Sequence, residues 1–198
     1  LGLRQPGSTM KPFIYSLALM RGYTRNTVIF DAPTQFSTAC EPFMVTNNIP
    51  PCYAPINFDK TFRGPMTFET ALAQSINIPA VKALYLAGTD NVVALAKAAG
   101  VTTMDNPKQY GLSLALGAAE VRLLDLTGAY ATLANDGVRN PPVGILEIRD
   151  KKGLVLEKFT PAPEQAVAQG VARQVSSMLS DNQARQPEYP PVNPFYFP

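Results

Sequence analysis

The sequence predicts an α+β fold that is mainly helical, with one β-hairpin. Several segments repeat apolar residues at helical spacing and are bounded by capping or helix-breaking residues. One segment, from Ile145 to Phe159, alternates around the turn Asp150-Lys151-Lys152-Gly153, which is typical of a hairpin. Apolar residues make up 46% of the 198 residues and charged residues only 16%, so we expect a globular chain with a real core.

The first helix follows a turn signal at Pro6-Gly7. Proline is tolerated in the first turn of a helix, so Pro12 predicts a start at about Ser8 or Thr9, and Gly22 marks the end. On this helix Ser8 and Lys11 stand three residues apart, and we expect them to share one face within hydrogen-bond reach. An N-cap serine beside a solvated lysine is the alternative interpretation of this pair.

Residues 23–66 form a long segment with few helix or strand signals and repeated prolines. A loop of this length is usually functional or specific to a family. Cys40 and Cys52 lie in it, twelve residues apart. In an oxidising compartment a disulfide between them would stabilise the loop by about 3 kcal/mol, and two free thiols are the alternative.

A second pair of polar residues lies between two short predicted helices. Thr67 is the expected N-cap of a helix that runs to about Gln74, and Pro79 opens the next one, which ends at Gly88. Ser75 and Asn77 fall in the connection, and they point the same way if that piece is extended. Ordinary helix capping by Ser75 and Asn77 is the alternative interpretation.

The second half of the chain continues the helical pattern. Asp90 is the expected cap of a helix that ends at Gly100, and a loop over residues 101–118 leads to the longest predicted helix, from about Ala119 to Asp136. A last helix is predicted over roughly residues 164–179. The apolar residues of the longest helix are predicted to be core: Leu123, Leu124, Leu126, Tyr130 and Leu133.

The chain contains no histidine, which excludes Ser-His-Asp and Cys-His catalysis and histidine-ligated zinc. A nucleophile must therefore be activated by lysine, a carboxylate or the backbone, and serine with lysine as its base is a known arrangement for acyl transfer. The net charge is +2 without a Lys/Arg-rich block, so no nucleic-acid partner is expected. We also expect no metal, no cofactor and no membrane-spanning segment within these residues.

Two motifs with their surroundings resemble one known family. Residues 4–13 read Arg-Gln-Pro-Gly-Ser-Thr-Met-Lys-Pro-Phe, and residues 73–81 read Ala-Gln-Ser-Ile-Asn-Ile-Pro-Ala-Val. Both resemble the transpeptidase domain of bifunctional class A penicillin-binding proteins, in the serine DD-transpeptidase and β-lactamase-like superfamily. Further similarity follows in family order at residues 57–59, 63–67, 114–117, 129–131 and 134–137.

The family's third motif, Lys-Thr-Gly, does not occur in the chain. The strands that precede the nucleophile, the glycosyltransferase domain and the membrane anchor of the family are not recognised either. The resemblance therefore implies that residues 1–198 are a partial transpeptidase domain with a β-lactamase/transpeptidase-like fold. We expect mainly its helical part and one hairpin, with most of the central sheet missing, and little or no activity from this piece alone.

The resemblance also implies a role for each motif residue. Ser8 would attack the penultimate D-alanine of a peptidoglycan stem peptide, and Lys11 would take its proton. Ser75 would relay a proton to the departing D-alanine, and Asn77 would hold the substrate amide and help position Lys11. β-Lactams, which mimic D-Ala-D-Ala, would acylate Ser8. The expected location is the extracytoplasmic (periplasmic) face of the bacterial membrane, reached through an N-terminal anchor outside these residues.

Three alternatives stand beside this function. A serine β-lactamase shares the fold and the first motif, but class A enzymes have Ser-Asp-Asn as the second motif, where Ile76 takes the middle position here. No Glu-x-x-Leu-Asn stretch is present to supply their second base. A β-lactam-sensing domain would be acylated without transpeptidation. The third alternative is a non-catalytic helical interaction domain. In that case four residues would match the two family motifs by accident: Ser8, Lys11, Ser75 and Asn77.

Overall fold

The structure is a computed structural model and describes residues 2–190. This part of the chain contains seven α-helices, namely α1 (Lys11–Met20), α2 (Phe68–Ala73), α3 (Asn77–Ala87), α4 (Thr89–Ala98), α5 (Leu123–Ala134), α6 (Gln169–Ser180) and α7 (Asn182–Arg185). It also contains 3₁₀ helices at Gly7–Met10, Pro107–Gln109 and Leu112–Leu116. No helix in residues 2–190 combines the length and apolar character needed to cross a membrane.

The strands of the described residues pair only in twos, all antiparallel. The four pairs are β1 (Leu3–Arg4) with β4 (Val121–Arg122), β2 (Val28–Asp31) with β3 (Gly64–Thr67), β5 (Val138–Arg139) with β8 (Glu164–Gln165), and β6 (Glu147–Arg149) with β7 (Val155–Lys158). The predicted mixture of helices with short strands is therefore confirmed, and the predicted hairpin is the β6–β7 pair.

Helix α1 is the centre of the core. It packs against α3, α4 and α6, and eight of its ten residues are buried, which is the pattern of a helix enclosed on nearly all sides. The Tyr15 ring meets the Phe68 ring edge-on, with the ring centroids 5.1 Å apart. Because α1 is enclosed in this way, a polar side chain at its N-terminal end is buried unless it points out of the first turn.

The start of α1 differs from the prediction. Residues Gly7–Met10 form a 3₁₀ helix, so the α-helix begins at Lys11 and not at Ser8. Gly7 has φ +59°, a left-handed conformation that glycine adopts readily, and Thr9 N donates to Pro6 O to close the turn. Pro12 does lie in the first turn of α1, as predicted.

The long segment 23–66 contains two strands that the sequence analysis missed. β2 and β3 pair from Val28 with Thr67 to Asp31 with Gly64. The β3 residues include glycine and proline, which are depleted in strands, and its partner lies far away in sequence. Between the two strands Cys40 and Cys52 form a disulfide, so the first of the two alternatives for these cysteines is realised.

The helices of the middle region were predicted with shifted ends. Thr67 caps α2 as expected, since its side chain accepts a hydrogen bond from the Thr70 N–H. Helix α3 begins at Asn77, two residues before Pro79, so Asn77 is part of the helix and not of the connection. Asp90 lies in the first turn of α4 and does not cap it, because Gly88 occupies the N-cap position.

The last predicted helices begin too early. Helix α5 starts at Leu123 because Val121 and Arg122 pair with β1, and α6 starts at Gln169 because Glu164 and Gln165 pair with β5.

The predicted core of the longest predicted helix, α5, was partly wrong as well. The Leu123 and Leu124 side chains are 73% and 48% exposed, whereas the other three predicted core residues of this helix are buried or packed against the core: Leu126, Tyr130 and Leu133.

Candidate active site

Ser8 is exposed on the 3₁₀ helix that leads into α1. It lies at an open cleft of about 270 Å³ whose walls also include Lys11, Ser75 and Tyr130. A substrate can reach the Ser8 hydroxyl from solvent, while the backbone of Ser8 is fixed in the 3₁₀ helix that leads into α1. The structure therefore brings the first motif and part of the second to the same cleft.

Lys11 is buried, with 1% of the residue exposed, although it begins a helix. Its Nζ atom donates hydrogen bonds to the backbone carbonyl of Ser75, to Ser75 Oγ at 3.2 Å and to Asn77 Oδ1 at 2.8 Å. These contacts span more than sixty residues of sequence, so they depend on the packing of α1 against α3. The second motif is therefore the immediate environment of the lysine.

Burial lowers the pKa of Lys11 from its ordinary value of 10.5 to about 7. Desolvation disfavours the charged ammonium, and the partners around Nζ are neutral carbonyl, hydroxyl and amide groups. Near pH 7 a large share of the lysine is therefore a neutral amine. Only the neutral amine has the lone pair that can take a proton from a hydroxyl.

The structure shows no hydrogen bond between Ser8 and Lys11, although the sequence predicts the two side chains within hydrogen-bond reach. The Ser8 hydroxyl makes no hydrogen bond to another described residue, and the amine of Lys11 is engaged by Ser75 and Asn77 instead. The 3₁₀ geometry at Gly7–Met10 changes the angle between the two side chains from that of an α-helix. Both groups still line one cleft, and catalytic hydrogen bonds often tighten only when substrate is bound.

Ser75 has a left-handed backbone, with φ +56°, which is uncommon for a residue with a side chain. This conformation ends α2, with Ser75 N bonded to Leu72 O and Ile76 N bonded to Ala71 O. It also directs both the carbonyl and the hydroxyl of Ser75 towards Lys11. A left-handed non-glycine residue costs on the order of 1–3 kcal/mol and occurs preferentially at functional sites.

Asn77 is held at both ends of its side-chain amide. Oδ1 accepts from Lys11, and Nδ2 donates to Ile56 O at 3.0 Å. Asn77 lies within α3, whose N-cap residue is Ile76 without a side-chain hydrogen bond, whereas Ser75 is the left-handed residue that ends α2 through backbone hydrogen bonds. The capping interpretation is therefore wrong for Asn77, whereas Ser75 takes part in the C-terminal cap of α2 as well as contacting Lys11.

Tyr130 is a cleft residue that the sequence analysis assigned to the core. Its ring packs edge-on against Phe13, with centroids 5.7 Å apart, and its hydroxyl donates to Thr9 O at 3.0 Å. Burial raises the pKa of Tyr130 to about 12, so the hydroxyl stays protonated near neutral pH. A buried tyrosine hydroxyl needs a hydrogen-bond partner, and this requirement was the one signal in the sequence that Tyr130 does more than fill the core. Arg185 and Tyr189 also line the cleft.

The fold agrees with the comparisons to known proteins. The family model described as "Penicillin binding protein transpeptidase domain" matches residues 3–190. The chain therefore belongs to the penicillin-binding protein transpeptidase family. This confirms the resemblance carried by the two motifs and the α+β transpeptidase-like fold class.

Similar proteins include penicillin-binding protein 1A of Aquifex aeolicus, 37% identical over 177 residues, and penicillin-binding protein 2D of Bacillus subtilis, 34% identical over 178 residues. These matches cover 89% of this chain but 23% and 24% of the relatives, so the chain spans about a quarter of their length. Among solved structures, penicillin-binding protein 1A from Haemophilus influenzae is 27% identical with a TM-score of 0.76, over 90% of this chain and 29% of that one.

A second solved structure, an imipenem acyl-enzyme complex of penicillin-binding protein A from M. tuberculosis, has a TM-score of 0.75. The match covers 98% of this chain and 46% of that one. At 18% identity this likeness supports the fold alone.

Proposed function

We propose that this chain is part of a peptidoglycan DD-transpeptidase that cross-links stem peptides through an acyl-serine intermediate. The observation that carries the proposal is the buried amine of Lys11, with its pKa lowered to about 7 and hydrogen-bonded to Ser75 and Asn77, in the cleft that contains Ser8. A nucleophile, a neutral base and a relay hydroxyl at one cleft are the groups that acyl transfer requires.

In the acylation step Ser8 Oγ attacks the carbonyl of the penultimate D-alanine while its proton passes to the Lys11 amine. The Ser8 backbone N–H contributes to stabilising the oxyanion. When the C–N bond breaks, Ser75 Oγ passes a proton from Lys11 to the leaving D-alanine amine, because it lies 3.2 Å from Nζ. Asn77 holds the substrate amide and keeps the lysine in place.

In the second step the amine of another stem peptide attacks the acyl-serine carbonyl. The new peptide bond forms, the Ser8 ester bond breaks, and the proton lost by the amine returns to Ser8 Oγ through the same lysine and serine. A β-lactam enters the first step as a mimic of D-Ala-D-Ala and leaves Ser8 acylated. The M. tuberculosis neighbour is an acyl-enzyme complex of that protein with imipenem, which supports β-lactams as ligands of this fold.

We further propose that residues 1–198 are a partial transpeptidase domain, with the Lys-Thr-Gly strand outside them. That strand would supply the second oxyanion donor and the site for the substrate carboxylate, so the 198 residues alone should show little or no activity. The Cys40–Cys52 disulfide supports an oxidising, extracytoplasmic location, with the parent protein anchored in the membrane.

Intact-mass spectrometry after incubation with a penicillin tests the function. We expect an adduct of one penicillin mass on Ser8 in the full-length protein that contains these residues, and little or none on the 198-residue chain. Ser8→Ala should abolish the adduct, whereas Ser180→Ala, an exposed serine outside the cleft, should not. An adduct that persists in Ser8→Ala would refute the nucleophile, and an adduct in neither protein would refute the function.

The same experiment separates the alternatives. An acyl-enzyme that persists for the whole incubation fits a transpeptidase or a β-lactam sensor, whereas rapid loss of the adduct with hydrolysed penicillin fits a β-lactamase. Cross-linking of stem peptides by the full-length protein then distinguishes the transpeptidase from the sensor. The absence of both reactions would leave the non-catalytic interaction domain.

A further inference from the structure

Asn57 is a buried amide next to the second motif, with 2% of the residue exposed. Its Nδ2 atom donates to both carboxylate oxygens of Asp31, at 2.8 and 2.9 Å, and to Thr61 O at 2.7 Å. Its Oδ1 atom accepts from the backbone N–H groups of Asn77 and Ile78, at 3.1 and 3.2 Å. Both ends of the amide are therefore fully engaged.

The two N–H groups that Asn57 satisfies belong to the first turn of α3. The first N–H groups of a helix lack partners within the helix, and the N-cap residue Ile76 offers no side-chain acceptor. Asn57 therefore caps α3 from a distant loop. The adjacent carbonyl of Ile56 accepts from Asn77 Nδ2, so two consecutive loop residues hold both the backbone and the side chain of Asn77.

Asp31 determines which way the Asn57 amide points. The carboxylate is fully buried, and it also accepts from the Arg63 backbone N–H at 2.9 Å, with the Arg63 guanidinium 3.8 Å away. An ionised carboxylate can only accept hydrogen bonds, so it requires the Nδ2 end of Asn57. The Oδ1 end is then left to face α3.

We propose that Asn57, oriented by Asp31, is a positioning residue for acylation, because it holds Asn77 where Asn77 Oδ1 meets Lys11 Nζ. This inference rests on the proposed function. Without the Asn57 amide, the start of α3 has two unpaired N–H groups and Asn77 loses its fixed position. Water then gains access to the lysine, and the neutral amine is no longer held in line with Ser75.

A role in loop stability alone is the competing explanation, and the chain offers a matched control for it. Gln35 is a second amide in the segment between β2 and β3, and its side chain makes four hydrogen bonds. It donates to Met44 O and Asn47 O and accepts from Ser37 N and Tyr53 N. All of these partners belong to the loop, so replacing Gln35 should weaken the loop without affecting Asn77 or Lys11.

The test compares Asn57→Leu and Gln35→Leu in the full-length protein, with the limiting rate of penicillin acylation and the thermal midpoint measured for each. We expect Asn57→Leu to slow acylation on the order of 10- to 100-fold, as a misplacement of about 1 Å does. Gln35→Leu should stay within about threefold of the wild type.

A wild-type rate in Asn57→Leu would overturn the proposal, and so would equal slowing in Gln35→Leu. If Asn57→Leu does not fold, Asp31→Asn takes its place, since it removes the charge that orients the amide at nearly constant volume. Acylation by Asp31→Asn should then be several-fold slower, and an unchanged rate would overturn the proposal.

A second readout separates failure of this inference from failure of the proposed function. The pKa of Lys11 can be followed by NMR titration of the chain with ¹³Cε-labelled lysine, assigned through Lys11→Arg, without any penicillin. Asn57→Leu should raise the pKa of Lys11 by about one pH unit or more, while Gln35→Leu leaves it in place. If the wild-type protein is not acylated at all, the proposed function fails. An unchanged Lys11 pKa in Asn57→Leu would then refute the positioning role as well.

Discussion

The pH dependence of acylation is the sharpest consequence of the buried lysine. With the pKa of Lys11 at about 7, roughly nine tenths of the amine is neutral at pH 8, roughly one tenth at pH 6 and roughly one hundredth at pH 5. If the neutral amine is the base, the acylation rate should follow this fraction. We therefore expect the rate to fall about tenfold from pH 8 to pH 6 and about 90-fold from pH 8 to pH 5.

The assay is stopped-flow acylation of the full-length protein by a fluorescent penicillin between pH 5 and pH 10. The chain has no histidine, so no side chain within it has an ordinary pKa near 7 that would produce the same profile. Lys11→Arg is the control, because arginine stays protonated and cannot take the serine proton. The Lys11→Arg protein should show almost no acylation at any pH in this range.

Two outcomes would contradict this reasoning. A rate that is flat from pH 5 to pH 8 would mean that Lys11 does not act as the base. A rate that keeps rising about tenfold per pH unit to pH 10 would mean that the pKa of Lys11 stays near its ordinary value of 10.5 and that burial has not lowered it.

Two other perturbations give clear expectations. A Cβ atom on Gly117, which has φ +80°, would lie 2.1 Å from the backbone N of Gly7 in the nucleophile turn. Gly117→Ala should therefore slow acylation by about tenfold or more. Gly111→Ala is the control and should not slow acylation, because a Cβ atom there meets nothing within 4 Å. Equal acylation rates in the two variants would contradict the close approach of Gly117 to Gly7. Replacing Cys40 and Cys52 by alanine should lower the free energy of unfolding in urea by about 3 kcal/mol, and no change would mean that the disulfide does not constrain the unfolded chain.

Local signals predicted those parts of the fold that local chemistry determines. Pro12 marks the first turn of α1, the Thr67 side chain caps α2, and the turn at Asp150 closes the β6–β7 hairpin. The strands that were missed pair with distant partners. β2 pairs with a segment containing Gly64 and Pro65, and nothing in either segment alone indicates the pairing.

The candidate site also has parts that local sequence signals predict and parts that depend on tertiary packing. The spacing of Ser8 and Lys11 is visible in the sequence, as is the polar pair Ser75 and Asn77, whose roles the resemblance implies. The convergence of the second motif on Lys11 Nζ is not visible, because it depends on how α1 packs against α3. Asn57 belongs only to a family-like segment in the sequence, since its role depends on partners in β2 and α3 that lie 20 or more residues away.

The burial that makes Lys11 a base also opposes folding. The difference between the ordinary pKa of 10.5 and about 7 corresponds to roughly 5 kcal/mol, which is a large part of the stability of a typical domain. Because the folded pKa is the lower one, this penalty is fully present below pH 7 and disappears as the pH rises towards 10.5. The close packing around α1 and the anchoring of α3 by Asn57 must offset it. The enclosed α1 core is therefore a requirement of the proposed chemistry as well as of the fold.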